Sequence, residues 1–269
     1  MKKHSTRTLR SHKIQKGIAP LQMLTCYDFQ TAGMLNESEV DLLLVGDSLG
    51  NVILGYETTV EVTLEEMIIF SSAVKRGAPN KFVVADLPFG TYSTFENGIK
   101  SATKLFQKSK AEAVKLEGAR PHHLELIKRL TESGIPVMGH IGLTPQSVHE
   151  LGGYYIHGKD EKSKEKLIKE AKDLEEAGVF SLVLECVKED LSKSISESIS
   201  IPTIGIGSGD YTDGQVLVIN DLLHLGKNDP PAFCEPIANF YEQKKEAISK
   251  YLTQKKAVNP YNDGTSLNH

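Results

Sequence analysis

Eight short runs of branched apolar residues recur along this 269-residue chain, with charged, helix-like segments between them, and that repeat limits the fold more than any other feature. The runs predict strands over 21–27, 41–46, 81–85, 113–116, 136–141, 180–184, 202–206 and 215–219. Several are continuous rather than alternating, as in LLLVG from Leu42 and SLVLE from Ser181, which is how parallel strands read when helices bury both faces. Helical segments are expected over 64–76, 95–107, 121–133, 163–177, 188–198 and 237–252, and Gly77, Gly134 and Gly178 follow three of them where a left-handed cap forms most easily. The connection between Ile206 and Gln215 is too short for a full helix, so an irregular turn is expected there.

An eight-fold βα barrel commonly needs about 250 residues, so one barrel would use nearly all of this chain. No Pro-, Gly- and Ser-rich linker divides it. The expected fold class is α/β, a (β/α)8 TIM barrel in a single domain over 21–256, preceded by a basic lead-in over 1–20 and followed by a mobile tail over 257–269. The lead-in carries Lys2, Lys3, Arg7, Arg10, Lys13 and Lys16 before the first acid, Asp28; its apolar residues are too sparse for a secretory or transit helix, and a solvated arm is expected.

A net charge of -4 supplies no basic field for nucleic acid, and no stretch approaches the roughly 18 apolar residues of a membrane span. Cys26, Cys186 and Cys234 are odd in number and form no CxxC pair, which suits a reducing compartment better than a disulfide framework.

Active sites of parallel barrels lie where strands end, so a polar residue closing an apolar run is informative. LLLVG ends in Asp47 and Ser48, FVVA in Asp86, AVKL in Glu117 and SLVL in Glu185. Carboxylates from the second, third, fourth and sixth strands would then meet at one mouth, where a divalent cation relieves their repulsion. Hard oxygen donors suit Mg²⁺, and Asp47, Asp86 and Glu117 are the expected ligands, directly or through water; for any one alone, a helix cap is the competing role.

Lys115, two residues before Glu117, points to the same side of its strand, either as counter-charge to a substrate oxyanion or as a salt-bridge partner of Asp86 or Glu117. Glu185 is either a general base or a structural acid, and His140 either contacts substrate or is satisfied by backbone groups. The glycines of GIGSGDYTDG, Gly205 to Gly214, form only a weak anion-cradle signal without GxGxxG spacing. Cys186 reads as a packing thiol.

The segments LTCYDFQTA, DLLLVGDSLGNVILGYETTVEVTLEEM, VVADLPFGTY, VKLEGA, GHIGLTPQS, LVLECV and IPTIGIGSG followed by DGQVLV are collinear over about 24–225, and there the chain closely resembles the ketopantoate hydroxymethyltransferase family. The resemblance implies a cytoplasmic homodecamer that adds a hydroxymethyl group from 5,10-methylenetetrahydrofolate to 3-methyl-2-oxobutanoate. It implies metal binding by Asp47, Asp86 and Glu117, substrate contacts by Asp47, Ser48, Asp86 and Lys115, and proton abstraction by Glu185. The chain departs from the family pattern at Glu39 and, in the seventh loop, at Ser208, Asp210, Tyr211 and Thr212, which puts folate affinity in question if that loop touches the folate. Two other readings stand beside it: a lyase or mutase of the isocitrate lyase and phosphoenolpyruvate mutase superfamily acting on another 2-oxo acid, and a non-catalytic barrel that binds a keto acid.

Overall fold

The computed structural model describes residues 3–153 and 155–257; the expected tail lies outside the described residues from 258 onward. Eight parallel strands close into a barrel in chain order: β1 (Leu21–Thr25), β2 (Leu42–Val45), β3 (Phe82–Asp86), β4 (Ala113–Lys115), β5 (Val137–Gly142), β6 (Ser181–Glu185), β7 (Thr203–Ile206) and β8 (Gly214–Leu217). Each predicted run thus coincides with a strand to within a few residues at its ends, because a strand sheathed by helices must be apolar on both faces. No helix among the described residues is long and apolar enough to cross a membrane.

The helices are α1 (Thr6–Arg10), α2 (Phe29–Glu37), α3 (Leu64–Gly77), α4 (Phe95–Ser109), α5 (Pro121–Glu132), α6 (Val148–Leu151), α7 (Glu161–Ala177), α8 (Glu189–Ser198), α9 (Ile219–Leu222) and α10 (Phe240–Ala257). The seventh connection is irregular, as its length required. Helix α2 was not foreseen; its start is marked by Asp28, whose carboxylate caps Thr31 N at 2.9 Å. Gly134 and Gly178 adopt the expected left-handed conformation, but Gly77 does not. A Cβ at Gly77 would lie 2.4 Å from the Phe29 carbonyl oxygen and 2.7 Å from the Ala32 Cβ, so this glycine lets α3 approach α2 rather than capping the helix.

The described residues divide into two compact units, one up to Ile219 and the other from Asn220. The first holds the barrel, and its core runs through Leu21, Leu42, Phe82, Phe180 and Ile204, with Phe82 and Phe180 meeting edge to face at 5.5 Å. The second contains α10, on which Ile248, Tyr251 and Leu252 are exposed.

The solvated lead-in is corrected by the structure. Leu9 of α1 is buried in the barrel core beside the first residues of several strands, and the Lys13 ammonium lies 2.6 Å from Asp213 Oδ2 with both side chains buried. Lys13 also donates to the Ser196 and Ile201 carbonyls, while Asp213 accepts from Ile14 N, Thr203 N and Thr203 Oγ1. Arg10 donates to Gly178 O at the end of α7. An amphipathic arm that looks polar in one dimension therefore closes the N-terminal pole of the barrel, since a pole lined by apolar strand starts needs a cover.

Candidate active site

The opposite pole gathers the acids. Asp86 and Glu185 are the last residues of β3 and β6, Lys115 ends β4, and Asp47 and Glu117 stand two residues beyond β2 and β4. Asp86 and Lys115 are register partners, and the Lys115 ammonium reaches Asp86 Oδ2 at 2.9 Å. That same oxygen accepts the Asp47 backbone N–H at 3.2 Å, whereas Asp86 Oδ1 is buried without a hydrogen-bond partner among the described residues. Asp47, Asp86, Lys115, Glu117 and His140 are all buried; Ser48, at the margin, shares a 2.8 Å hydrogen bond with the Tyr27 hydroxyl.

Two organising residues escaped the sequence reading. Gln146, in the first turn after β5, donates through Nε2 to Asp47 Oδ2 at 2.8 Å and to the Leu87 carbonyl at 3.0 Å, and its backbone N–H donates to Glu117 Oε2 at 3.1 Å. Its carbonyl oxygen accepts from the Tyr92 hydroxyl at 2.5 Å, which fixes the amide orientation. One residue therefore holds two acids, Asp47 through its side chain and Glu117 through its backbone. The signal was present in GHIGLTPQS and VVADLPFGTY, but neither Gln146 nor Tyr92 ends an apolar run, so a search for strand-end acids passes over both.

Electrostatics mark this pole as crowded with negative charge. Burial, and then the charges of Asp86 and Glu117, raise the Asp47 carboxyl well above the usual range; Lys115 opposes the shift. Burial likewise raises Asp86, less so because Lys115 is its direct partner. Burial pulls Lys115 down, but three surrounding carboxylates outweigh it and raise its pKa, so it stays an ammonium. Burial pushes Glu117 up, yet His140, Lys115 and the Gln146 N–H bring it below the ordinary glutamate value.

His140 stands between two acids, with Nδ1 3.4 Å from Glu117 Oε1 and Nε2 3.3 Å from Glu185 Oε2, at ion-pair distance but without hydrogen-bond alignment. Burial and Lys115 lower its pKa, but the two carboxylates raise it to about 9. It is not a histidine satisfied by backbone groups. Glu185 is partly open, and Cys186 after it adopts φ 48°, a left-handed conformation uncommon outside glycine. Gly142, paired with Glu185 in the sheet, has φ 96°; a Cβ there would sit 2.3 Å from the Glu185 carbonyl oxygen, so the close approach of β5 to the end of β6 requires glycine. Burial pushes the Cys186 thiol up to about 11, which agrees with a packing role.

No group of three His, Cys, Asp or Glu side chains among the described residues is arranged to enclose a metal ion by itself. The donors still suit a hard divalent cation. Asp86 Oδ1 is buried without a partner among the described residues, burial and the neighbouring acids hold Asp47 and Asp86 above the usual carboxylate range, and Mg²⁺ keeps waters and substrate oxygens rather than a full protein cage.

The departures in the seventh loop are absorbed by packing. Ser208 donates to Leu184 O and accepts from Val187 N, Thr212 bonds Gly214 and Gln215, and the Tyr211 ring lies under Lys193 of α8 at 4.9 Å. None of these contacts reaches the acids.

Residues 3–259 match the ketopantoate hydroxymethyltransferase family. The 3-methyl-2-oxobutanoate hydroxymethyltransferase of Leptospira interrogans is 51% identical over 245 residues, covering 89% of this chain and 92% of that protein. The protein of the same name from Thermotoga maritima is 51% identical, covering 91% of this chain and 90% of its own length. Among solved structures, a 2,3-dimethylmalate lyase superposes with a TM-score of 0.61 at 12% identity over 97% of this chain and 90% of its own. A phosphoenolpyruvate phosphomutase from Streptomyces platensis gives 0.61 at 12% identity over 94% and 88%. At such identities these two likenesses speak for the fold alone.

Proposed function

This chain belongs to the ketopantoate hydroxymethyltransferase family and is a transferase, and on that premise we propose that it moves a hydroxymethyl group from 5,10-methylenetetrahydrofolate to 3-methyl-2-oxobutanoate, giving 2-dehydropantoate for pantothenate synthesis. The observation that carries the reading is the buried Asp47–Asp86–Lys115–Glu117–His140 network with the partly open Glu185 beside it.

Asp47, Asp86 and Glu117 would hold Mg²⁺, directly or through water. Bound there, the ion would supply positive charge for the 2-oxo and carboxylate oxygens of the keto acid as the C3 proton becomes acidic. Lys115 and the Ser48 hydroxyl hold the substrate carboxylate, and burial strengthens that attraction. Glu185 removes the C3 proton, and His140, 3.3 Å away, orients its carboxylate. The resulting enolate carbon attacks the methylene carbon of the folate iminium form, and water releases the hydroxymethyl product and tetrahydrofolate. A cytoplasmic site of action agrees with three free thiols among the described residues; a homodecamer is the assembly that the resemblance implies.

Exchange of the C3 proton into deuterium oxide tests the base. In Glu185→Gln, exchange falls by about 10²–10⁴-fold while calorimetry still finds Mg²⁺ and keto-acid binding; wild-type exchange in that variant removes Glu185 from the role. Formation of product from the keto acid and methylenetetrahydrofolate separates this reading from a lyase or mutase, which needs no folate, and from a barrel that only binds.

A further inference from the structure

The loops that follow β3, β4 and β5 meet at one buried hydroxyl. Tyr92 Oη accepts from the Glu117 backbone N–H at 3.4 Å and donates to Gln146 Oε1 at 2.5 Å. Local sequence fixes the place of that oxygen. Pro88 O accepts from Thr91 N at 3.2 Å and from Thr91 Oγ1 at 2.6 Å, closing a tight turn in which Gly90 has φ 77°, and Thr94 then caps α4 through Asn97 N. Tyr92 stands between the turn and the cap, with its ring edge-on to His123 at 5.6 Å.

The hydrogen bonds around this hydroxyl run in one direction. The Leu87 carbonyl can only accept, so the Gln146 amide must turn Nε2 toward it and, with the same nitrogen, toward Asp47 Oδ2. Oε1 then faces Tyr92, whose own proton is directed to it because Tyr92 Oη already accepts from Glu117 N. The Gln146 backbone N–H returns a bond to Glu117 Oε2 at 3.1 Å, which closes a ring through Glu117, Tyr92 and Gln146. All the hydrogen bonds named here and above fall on one oxygen of each acid: Oδ2 of Asp47, Oδ2 of Asp86 and Oε2 of Glu117. The second oxygen of Asp86 has no hydrogen-bond partner among the described residues, and that of Glu117 meets His140 Nδ1 only at 3.4 Å.

We propose that Tyr92 is a positioning residue for the cation site: its hydroxyl, acting through the Gln146 amide, holds Asp47 and Glu117 in the orientation in which they bind a divalent cation. The proposal rests on the reading of Asp47, Asp86 and Glu117 as cation ligands and extends it to a residue that acts from behind them. Without the hydroxyl, Gln146 Oε1 and Glu117 N are buried and unpartnered, which is costly. A flip of the amide does not repair the loss, because it sets Oε1 against the Leu87 carbonyl. The Gln146 side chain therefore moves, and Asp47 loses its donor.

The test is calorimetric titration with Mg²⁺ alone of the full-length wild-type protein, Tyr92→Phe, Gln146→Leu and the double variant. Tyr92→Phe weakens Mg²⁺ binding about tenfold, as Gln146→Leu does. The double variant also loses about tenfold rather than about a hundredfold, because a group that acts through another adds nothing once the other is gone. Leu9→Ala, a destabilising change at the opposite pole, keeps wild-type Mg²⁺ affinity, so a general loss of stability does not imitate the effect. Circular dichroism checks that each variant is folded, and Gln146→Met takes the place of Gln146→Leu in the cycle if the latter is not. Wild-type affinity in Tyr92→Phe, losses that multiply in the double variant, or an equal loss in Leu9→Ala overturns the proposal and leaves the cation site standing. Absence of Mg²⁺ binding by wild-type protein overturns the cation site itself, and the proposal with it.

Discussion

The two poles of the barrel each bury a lysine–aspartate pair, and the difference between the pairs separates structure from function. At the N-terminal pole Lys13 and Asp213 lie 2.6 Å apart, and both oxygens of Asp213 are occupied by Lys13, Ile14 N and Thr203. At the C-terminal pole Lys115 and Asp86 lie 2.9 Å apart, but one oxygen of Asp86 has no hydrogen-bond partner among the described residues and two further acids crowd the same ammonium. A satisfied buried pair holds parts together; an unsatisfied one awaits a ligand.

The sharpest way to break that contrast is to remove one acid from each pole. Replacing Asp213 by Ala strands Lys13 in the core and is expected to lower the unfolding free energy by about 3–5 kcal/mol, read as a shift of the urea midpoint. Asp86→Ala is expected to lower stability by much less, because Asp47 and Glu117 still face Lys115, and to cut kcat/KM by about 10³-fold, roughly 4 kcal/mol of transition-state stabilisation. Equal stability losses at the two poles would erase the distinction.

A smaller effect probes the cover of the N-terminal pole. Leu9→Ala should cost about 3 kcal/mol by deleting a fully buried side chain, with kcat unchanged in the variant that remains folded. Smaller again is the response to cation: Mg²⁺ at a hundred times its dissociation constant should add about 2.7 kcal/mol to stability, seen as a rise in the thermal midpoint that Leu9→Ala keeps and Asp86→Ala loses. The smallest concerns Gln146. Gln146→Leu removes the side-chain contact to Asp47 and should weaken Mg²⁺ binding about tenfold in a calorimetric titration, and Gln146→Glu should not restore it, since a carboxylate cannot donate to Asp47 Oδ2.

Most of the second pole was legible beforehand, and most of the first was not. Asp47, Asp86, Glu117 and Glu185 each close or follow an apolar run, Lys115 stands two residues before Glu117 on the same side of its strand, and in a closed parallel barrel all strand ends of one kind share a pole, so one-dimensional position translates into proximity. For His140 the sequence leaves both roles open, because only the fold brings Glu117 and Glu185 to its two nitrogens. The basic arm was misread, since Lys13 and Asp213 are 200 positions apart and nothing local indicates that they meet. Gly77 shows the same limit: a cap and a close helix crossing both call for glycine, and the neighbour that decides between them is Phe29.

From residue order alone came the number of strands, their parallel burial and the acids at their ends, because strand periodicity and strand-end position are local properties of a chain. Tertiary structure alone decided which buried charges are satisfied and how Gln146 and Tyr92 hold the acids. Hydrogen-bond satisfaction and desolvation depend on partners distant along the chain, so they exist only once the barrel has closed.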